Sequence, residues 1–398
     1  MSEKVLIVDD SGVNRKLLHG ILIKAGYEVA EAVDGEDALE RVFAFTPDLV
    51  LLDVMMPKMD GYEVCATLKE DERTGDVPII FLSAKSEVED KIRGLDVGGV
   101  DYITKPFNQG EVLARVRNQL KIRSLTQQIK RAHEELLAKQ RRIDEDLKAA
   151  AGIQESLLPE SDPGVKNIDF AWRYKTCDEI GGDIFNVMRL DEEHLGIYML
   201  DVSGHGVPAA LVTVSAHRSL SPQTGFVAKK RLIVPPSYEI VPPREVLHHL
   251  DQEYPIERFD KFFTIVYLIL SFKTGVLRYS NAAHPHPLLI RADGSLEALD
   301  KGGSIIGLGG SATYEEGEKE LRSGDKLILF TDGLIECEND QGEFYGDDRF
   351  RLRLQELRHE PMGDILDGLL DSLGAFMAST KPQDDISLLG IGFNEWPG

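Results

Sequence analysis

Leu195-Gly196-Ile197-Tyr198-Met199-Leu200-Asp201-Val202-Ser203-Gly204-His205-Gly206 carries an apolar run into an aspartate and then into glycines, and a helix-period stretch follows from Pro208 to Leu220. The pattern reads as a strand, a charged strand end, a tight turn and a helix. Three more aspartates stand at the edges of strand-like runs: Asp183 in Gly181-Gly182-Asp183, Asp332 in Thr331-Asp332-Gly333 and Asp384 in Asp384-Asp385-Ile386-Ser387. A fold that stacks these strands gathers four carboxylates in one pocket. Carboxylate-only ligation suits Mg²⁺ or Mn²⁺, and two such ions about 3.5–4 Å apart can activate a bridging water for in-line attack on a phosphate. Asp-Gly and Gly-Gly pairs also mark ordinary turns, and Thr331-Asp332-Gly333 alone reads that way. Four of them together carry the metal reading. Gly181, Gly182, Gly204, Gly206 and Gly333 would let the backbone approach the ions closely.

Around these motifs, short runs dominate after Pro159. Phe170 to Tyr174, Ile184 to Leu190, Phe263 to Leu270, Leu277 to Ser280, Leu288 to Ile290, Leu327 to Phe330 and Ile386 to Phe393 read as strands. Helical stretches stand near Pro243 to Tyr254 and Gly363 to Met377, which together with the strands predicts an α+β sandwich. The segment from Ser221 to Pro242, with four prolines, reads as a loop or flap outside the core.

The first 118 residues have another rhythm. Val5 to Val8, Leu49 to Leu52 and Ile79 to Leu82 are buried-strand runs separated by helix-period segments, which predicts a doubly wound parallel α/β sheet. Function in such sheets collects at the carboxyl ends of the strands. Those ends carry Asp9 and Asp10, then Asp53, then Ser83, then Lys105. The set suits phosphorylation of a carboxylate: a divalent cation on Asp10 and Asp53, with Asp9 nearby, would screen the donor, Asp53 would attack phosphorus, and Lys105 and Ser83 would hold the phosphoryl oxygens.

Between the two halves, Asn118 to Leu157 has no proline and one glycine. Ile122, Leu125, Ile129, Ala132, Leu136, Ile143, Ala150, Ile153 and Leu157 step by three and four, with Lys139 and Asp146 interrupting the seam. This predicts a long helix, about 60 Å at 1.5 Å per residue, pairing with a second copy as a parallel coiled coil. The expected division is therefore 1–118, 119–157 and 158–398.

Composition narrows the partners. The 398 residues are 42% hydrophobic and 28% charged, as in ordinary globular proteins, and the formal charge of −23 is adverse to nucleic acid and anionic membranes. Cys65, Cys177 and Cys337 are far apart and odd in number, which fits a reducing cytoplasm. The apolar runs are too short to cross a bilayer, and the first residues lack a basic-then-apolar leader, so neither export nor membrane insertion is expected.

Val5-Leu6-Ile7-Val8-Asp9-Asp10, Leu52-Asp53-Val54-Met55-Met56-Pro57, Phe81-Leu82-Ser83-Ala84 and Asp101-Tyr102-Ile103-Thr104-Lys105-Pro106-Phe107 resemble the CheY-like receiver domain of bacterial response regulators. The resemblance implies Asp53 as phosphoacceptor, Mg²⁺ on Asp9, Asp10 and the Met55 carbonyl, Ser83 and Tyr102 as the conformational switch, and a sensor histidine kinase upstream. From about residue 150, Glu179-Ile180-Gly181-Gly182-Asp183, Asp201-Val202-Ser203-Gly204-His205-Gly206, Asn281-Ala282-Ala283-His284-Pro285, Ile306-Gly307-Leu308, Phe330-Thr331-Asp332-Gly333-Leu334 and Gln383-Asp384-Asp385-Ile386-Ser387 resemble the RsbU/SpoIIE branch of the metal-dependent serine/threonine protein phosphatases, the PPM superfamily. By that likeness Asp183, Asp201 and the Val202 carbonyl hold the dimetal centre, with Asp332 and Asp384 completing one shell and Asp385 ranked below Asp384. His205 and His284 are secondary candidates, and Arg173 is a weaker one for substrate phosphate. The combination implies a response regulator whose output dephosphorylates a STAS-type anti-sigma factor antagonist in a partner-switching pathway. The alternative, suggested by the RssB-like architecture, is a non-catalytic adaptor that delivers a sigma factor for proteolysis.

Overall fold

The computed structural model describes residues 2–84, 88–159, 165, 167–223, 225, 227–231 and 238–394, and it forms two compact units, Met1–Arg141 and Arg142–Gly398. In the first, β1 (Lys4–Val8), α1 (Gly12–Lys24), β2 (Glu28–Ala32), α2 (Gly35–Phe45), β3 (Leu49–Asp53), α3 (Gly61–Glu70), β4 (Ile79–Ser83), α4 (Val88–Asp96), β5 (Asp101–Thr104) and α5 (Gln109–Glu155) follow in turn. The strands pair in parallel in the order β2-β1-β3-β4-β5. The apolar residues of β1, β3 and β4 are buried on both faces, which is what a parallel sheet covered by helices requires. Short side chains start the helices: the Asp34 carboxylate accepts the Asp37 N–H at 3.0 Å, and Asp60 forms a reciprocal capping box with Glu63.

α5 begins inside this unit, nine residues before the expected linker. Val112, Val116 and Leu120 bury its first turns in the same apolar cluster as the sheet residues Val5, Ile7 and Leu49, and the Arg123 guanidinium donates to the Pro47 and Asp48 carbonyls at 3.1 and 2.6 Å. Beyond these anchors the apolar stripe lies open, with Ile129 70% and Leu136 62% exposed. The 47 residues of α5 correspond to about 70 Å.

The second unit continues with β6 (Ile168–Lys175), β7 (Asp183–Arg189), β8 (His194–Val202), α6 (Val207–Leu220), β9 (Lys229–Arg231), β10 (Tyr238–Ile240), α7 (Pro243–Glu253) and α8 (Ile256–Phe259). Next come β11 (Phe263–Ser271), β12 (Val276–Ala282), β13 (Leu288–Ile290), β14 (Leu296–Ala298), β15 (Gly302–Gly303), β16 (Gly317–Glu320) and β17 (Lys326–Phe330). The chain closes with α9 (Asp332–Ile335), α10 (Gly346–Leu357), α11 (Met362–Met377) and β18 (Ile386–Phe393). One sheet runs β15-β12-β11-β8-β7 with β16 also on β12, and the other runs β14-β13-β17-β18-β6. Phe185, Met199, Val266, Leu268, Leu329 and Leu389 fill the space between the sheets, Tyr198 on the opposite face bonds His217 of α6, and Phe330, Phe350, Leu366 and Leu388 form a second core under α10 and α11. Burial of all eight β18 residues explains why Ser387 is the one polar side chain in the strand.

The segment expected to be a flap is more integrated than its prolines suggested. β9 and β10 pair antiparallel, and Val227, Ala228 and Val241 are buried in the same apolar cluster as Leu220 of α6 and Val246 and Leu250 of α7. Residues 224, 226 and 232–237 of that segment lie outside the described residues. No helix among the described residues is long and apolar enough to cross a membrane.

Candidate active site and its acidic edges

The antiparallel register of β7 and β8 places Asp183 opposite Asp201. In the facing sheet, β17 ends and β18 begins side by side, with the Thr331 N–H bonded to the Ser387 carbonyl at 3.2 Å. That pairing brings Asp332, the first residue of α9, to the same edge as Asp384 and Asp385. The two sheets are then joined through side chains. The Thr331 and Ser387 hydroxyls both donate to Asp183 Oδ2, at 2.8 and 2.6 Å, and Asp385 Oδ2 accepts the Gly182 N–H at 2.6 Å.

Five carboxylates so gathered repel one another. Burial, then the charges of Asp332 and Asp384, pushes Asp201 up to about 8, and burial followed by Asp201 and Asp385 raises Asp183. Burial also raises Asp384, with Asp332 and Asp385 adding to it. Asp183 and Asp201 stand opposite each other in the register of β7 and β8, so the charge on Asp201 raises the Asp183 carboxyl. Oxygen donors, excess negative charge and a strand-end position match what hard divalent cations require. Asp183, Asp201, Asp332 and Asp384 could hold them. Asp385 is already committed, since it is 1% exposed and accepts from the Cys177, Gly182 and Asp183 amides.

The glycines serve this packing. A Cβ on Gly333 would stand 2.0 Å from the Asp385 carbonyl oxygen, and one on Gly181 would stand 2.4 Å from Asp385 Oδ2. Gly181 and Gly333 admit neighbouring protein groups, and Gly206 stands beside open space.

Sequence reasoning missed several contributors. Thr331 and Ser387 stood in the quoted motifs without a role, although a hydroxyl beside a strand-end aspartate was the available signal. Glu336, one helical turn after Asp332, has a carboxyl raised by burial and by Asp332 and Asp384. Gln154, at the end of α5, is buried against Gly181. Arg173 points elsewhere than a substrate: its guanidinium grips Asp367 with two bonds of 2.6 and 2.7 Å. His205 pairs with Asp178 at an exposed position. His284 is buried with Nδ1 2.8 Å from the Thr264 hydroxyl, and burial pushes its pKa down to about 3, so it is neutral near pH 7.

The receiver edge is organised differently. Asp9, Asp10 and Asp53 bring carboxylate oxygens within 4.8 Å of one another, and among the described residues they are the one such group of three metal-ligating side chains. The Lys105 ammonium lies 2.7 Å from Asp53 and 2.9 Å from Asp9. Burial raises Asp53 even so, with Lys105 opposing it. Asp9 is also held by the Ser11 N–H at 2.8 Å and by the Asn14 amide, another contributor the motifs did not reveal. Ser83 is buried at the end of β4, Met55 is exposed, and the Tyr102 ring lies inward, stacked on Phe81 at 5.4 Å.

Comparison with known proteins gives the family. Residues 191–394, just over half of the chain, match Stage II sporulation protein E (SpoIIE). The chain belongs to the SpoIIE family. Residues 5–117 match the response regulator receiver domain, so this SpoIIE-family member carries a receiver fused ahead of its family domain. The SpoIIE match includes Asp201, Asp332 and Asp384, while Asp183 precedes it. Among curated proteins, the DNA-binding dual master transcriptional regulator RpaA of Synechocystis is 46% identical over 118 residues, 30% of this chain and 49% of that protein. The alkaline phosphatase synthesis regulatory protein PhoP of Bacillus subtilis is 47% identical over 117 residues, 29% of this chain and 48% of that one. The chain spans about half the length of these curated relatives. The SiaA-PP2C domain of Pseudomonas aeruginosa is similar in fold, with a TM-score of 0.53 and 21% identity over 65% of this chain and 99% of that one.

Proposed function

We propose that the SpoIIE-type unit is a metal-dependent phosphoserine/phosphothreonine protein phosphatase controlled by phosphorylation of Asp53. The observation that carries this reading is the Asp183–Asp201 pair at the shared edge of two sheets, with Asp332 and Asp384 beside it and with Asp201 pushed up to about 8 by burial and its acidic neighbours. Asp183, Asp201, the Val202 carbonyl, Asp332 and Asp384 are the groups assigned to two Mn²⁺ or Mg²⁺ ions. Bound there, such ions lower the pKa of a water and screen the phosphate. The chain itself orients the carboxylates. Thr331 and Ser387 fix Asp183 Oδ2, and Asp385 fixes the Gly182 peptide. Protons on Asp183 and Asp201 must leave before either can act as a ligand.

At the receiver, Asp53 is the assigned phosphoacceptor, Asp9, Asp10 and the Met55 carbonyl the Mg²⁺ ligands, Lys105 and Ser83 the phosphoryl clamp, and Ser83 and Tyr102 the switch. A sensor histidine kinase is the assigned donor. The open stripe from Ile122 to Ile153 supports a parallel homodimer through α5, in which Asp53 phosphorylation alters helical pairing. The division into 1–118, 119–157 and 158–398 follows this assignment of roles, with α5 shared by the first two. The target assigned is a phosphorylated STAS-domain anti-sigma factor antagonist, in the cytoplasm.

The test is Mn²⁺-dependent hydrolysis of p-nitrophenyl phosphate and of a phosphorylated STAS protein, with Asp201→Asn as control. A rate that needs Mn²⁺ and Asp201 supports the reading. Absence of any metal-dependent rate on both substrates favours the adaptor. Equal turnover and equal oligomeric state in Asp53→Ala and in protein treated with an acyl-phosphate mimic would remove the regulatory part.

A further inference from the structure

Asp251 of α7 is fully buried and forms no salt bridge among the described residues. Burying a carboxylate is unfavourable unless other donors replace water. Four backbone amides of one loop do so here. Oδ1 accepts the Gly307 and Leu308 N–H groups at 2.8 and 2.7 Å, and Oδ2 accepts those of Gly310 and Ala312 at 2.9 and 3.4 Å. Gly309 and Gly310, with φ of +65° and +84°, let the chain curl around the carboxylate. The Ser311 hydroxyl closes the turn by donating to the Leu308 carbonyl at 2.7 Å.

What this frame holds outward is apolar. Leu308 is 42% exposed, and Gly307 beside it lies against Phe262 and Ile256, since a Cβ there would stand 3.1 and 3.8 Å from theirs. Both of those side chains are exposed as well. So firm a mount for exposed apolar side chains marks an interaction surface, because fixing them beforehand lowers the entropy lost when a partner binds.

The patch continues into the metal edge. β11 pairs with β8 so that Thr264 stands opposite Asp201 and Phe263 opposite Val202. One residue further, the Ser203 N–H donates to the Phe262 carbonyl at 2.9 Å, and the Phe262 N–H donates to the Ser203 hydroxyl at 3.2 Å. The loop that follows Asp201 is thus stitched to the backbone of the patch. Lys261 comes next on the same segment. Its ammonium donates to the Ser203 carbonyl at 2.8 Å and forms no salt bridge among the described residues, which leaves donors for an anion.

We propose that Ile256, Phe262 and Leu308 dock an apolar side chain of the protein substrate beside its phosphorylated residue, with Lys261 supplying a positive charge to the phosphorylated segment. This rests on the phosphatase reading above. Continuity with the Asp201 loop and the ammonium of Lys261 are what select a phosphorylated segment as the occupant.

The experiment is steady-state hydrolysis, by the full chain with Mn²⁺, of two synthetic phosphoserine peptides that are identical except that leucines or serines flank the phosphoserine. The readout is the ratio of their kcat/KM values, from which general damage to the metal centre cancels. The native chain is expected to prefer the leucine peptide by about 10-fold, the usual worth of partly burying one such side chain. Leu308→Ser, at an exposed position, is expected to bring the ratio within about twofold of unity. Lys261→Met is expected to raise KM for both peptides by about 10-fold, as loss of a charged donor does, and an unchanged KM removes Lys261 from the surface. A native ratio near unity, or a native ratio retained in Leu308→Ser, overturns the docking surface while the phosphatase reading stands. Peptides left intact by a chain that hydrolyses p-nitrophenyl phosphate count against it equally. A retained ratio with a changed sedimentation coefficient in Leu308→Ser assigns the patch to a contact between copies instead. If neither the peptides nor p-nitrophenyl phosphate are hydrolysed with Mn²⁺, the phosphatase reading fails and the inference falls with it.

Discussion

At the receiver edge Lys105 lies within 2.9 Å of two of the three carboxylates, whereas the sandwich edge carries five carboxylates, and no lysine or arginine forms a salt bridge with them among the described residues. The first edge carries its own counter-ion. The second is compensated by protons, with Asp201 pushed up to about 8, and by hydroxyl and amide donors from both sheets. The difference teaches how each edge meets a cation. A metal arriving at the receiver joins an existing charge balance, while one arriving at the sandwich must displace protons and gains the relief of carboxylate repulsion in return.

The largest expected effect separates the two edges outright. Asp201→Asn should reduce Mn²⁺-dependent phosphate hydrolysis by about a thousandfold, corresponding to several kcal/mol of lost transition-state stabilisation. It should leave acyl-phosphate formation on Asp53 intact, as read by phosphate incorporation from a small phosphodonor. Asp53→Ala should show the reverse. Loss of acyl-phosphate formation in Asp201→Asn, or of the basal Mn²⁺-dependent rate of the unphosphorylated chain in Asp53→Ala, would break the separation.

Next in size is the support of Asp183. Thr331→Val or Ser387→Ala removes one donor to Asp183 Oδ2 and should weaken Mn²⁺ binding by about 10- to 100-fold. An unchanged titration isotherm would mean that these hydroxyls serve packing alone.

The proton balance sets a pH dependence whose sign is fixed. Asp183, Asp201 and Asp384 are raised in the folded chain, so the metal-free native state binds more protons than the unfolded one between the ordinary carboxylate range and about pH 8. Their contribution is fully present below about pH 4, and the thermal midpoint of the metal-free chain should fall as pH rises through about 8. Asp201→Asn should flatten that fall, and Mn²⁺ should release protons on binding, measurable as a buffer-dependent heat. A midpoint that rises over this range would contradict the assignment. The smallest effect is expected at Arg173, whose partner is Asp367 at the surface: Arg173→Ala should change stability by less than about 1 kcal/mol and leave the KM for a small phosphoester unchanged.

The same comparison shows which parts were legible in advance. Periodicity located β1, β3, β4, β8 and β18, because buried strands need continuous apolar residues and those runs have few alternatives. It placed the start of the connector too late, since Val112, Val116 and Leu120 continue the same helical period into the receiver core and leave no boundary in the pattern. It also placed Val227 and Val241 outside the core, because proline content describes backbone restriction and says little of what neighbouring valines pack against. At the sites, the aspartates were visible as strand-end charges. Their supporting donors were not, since a threonine, a serine or a glutamine has many uses and acquires one only from its neighbours.

By itself the sequence determined the two sheet types, the helix between them and the identity of the acidic residues, because hydrophobic period and strand-end chemistry are local properties. Only the tertiary structure decided which carboxylates meet. Asp183 and Asp201 face each other through strand register, Thr331 and Ser387 cross 148 and 204 residues of chain to reach one oxygen, and Gln154 finds Gly181 27 residues away. The physical reason is that a hydrogen bond and a Coulomb interaction depend on distance in space, and folding two sheets face to face sets those distances.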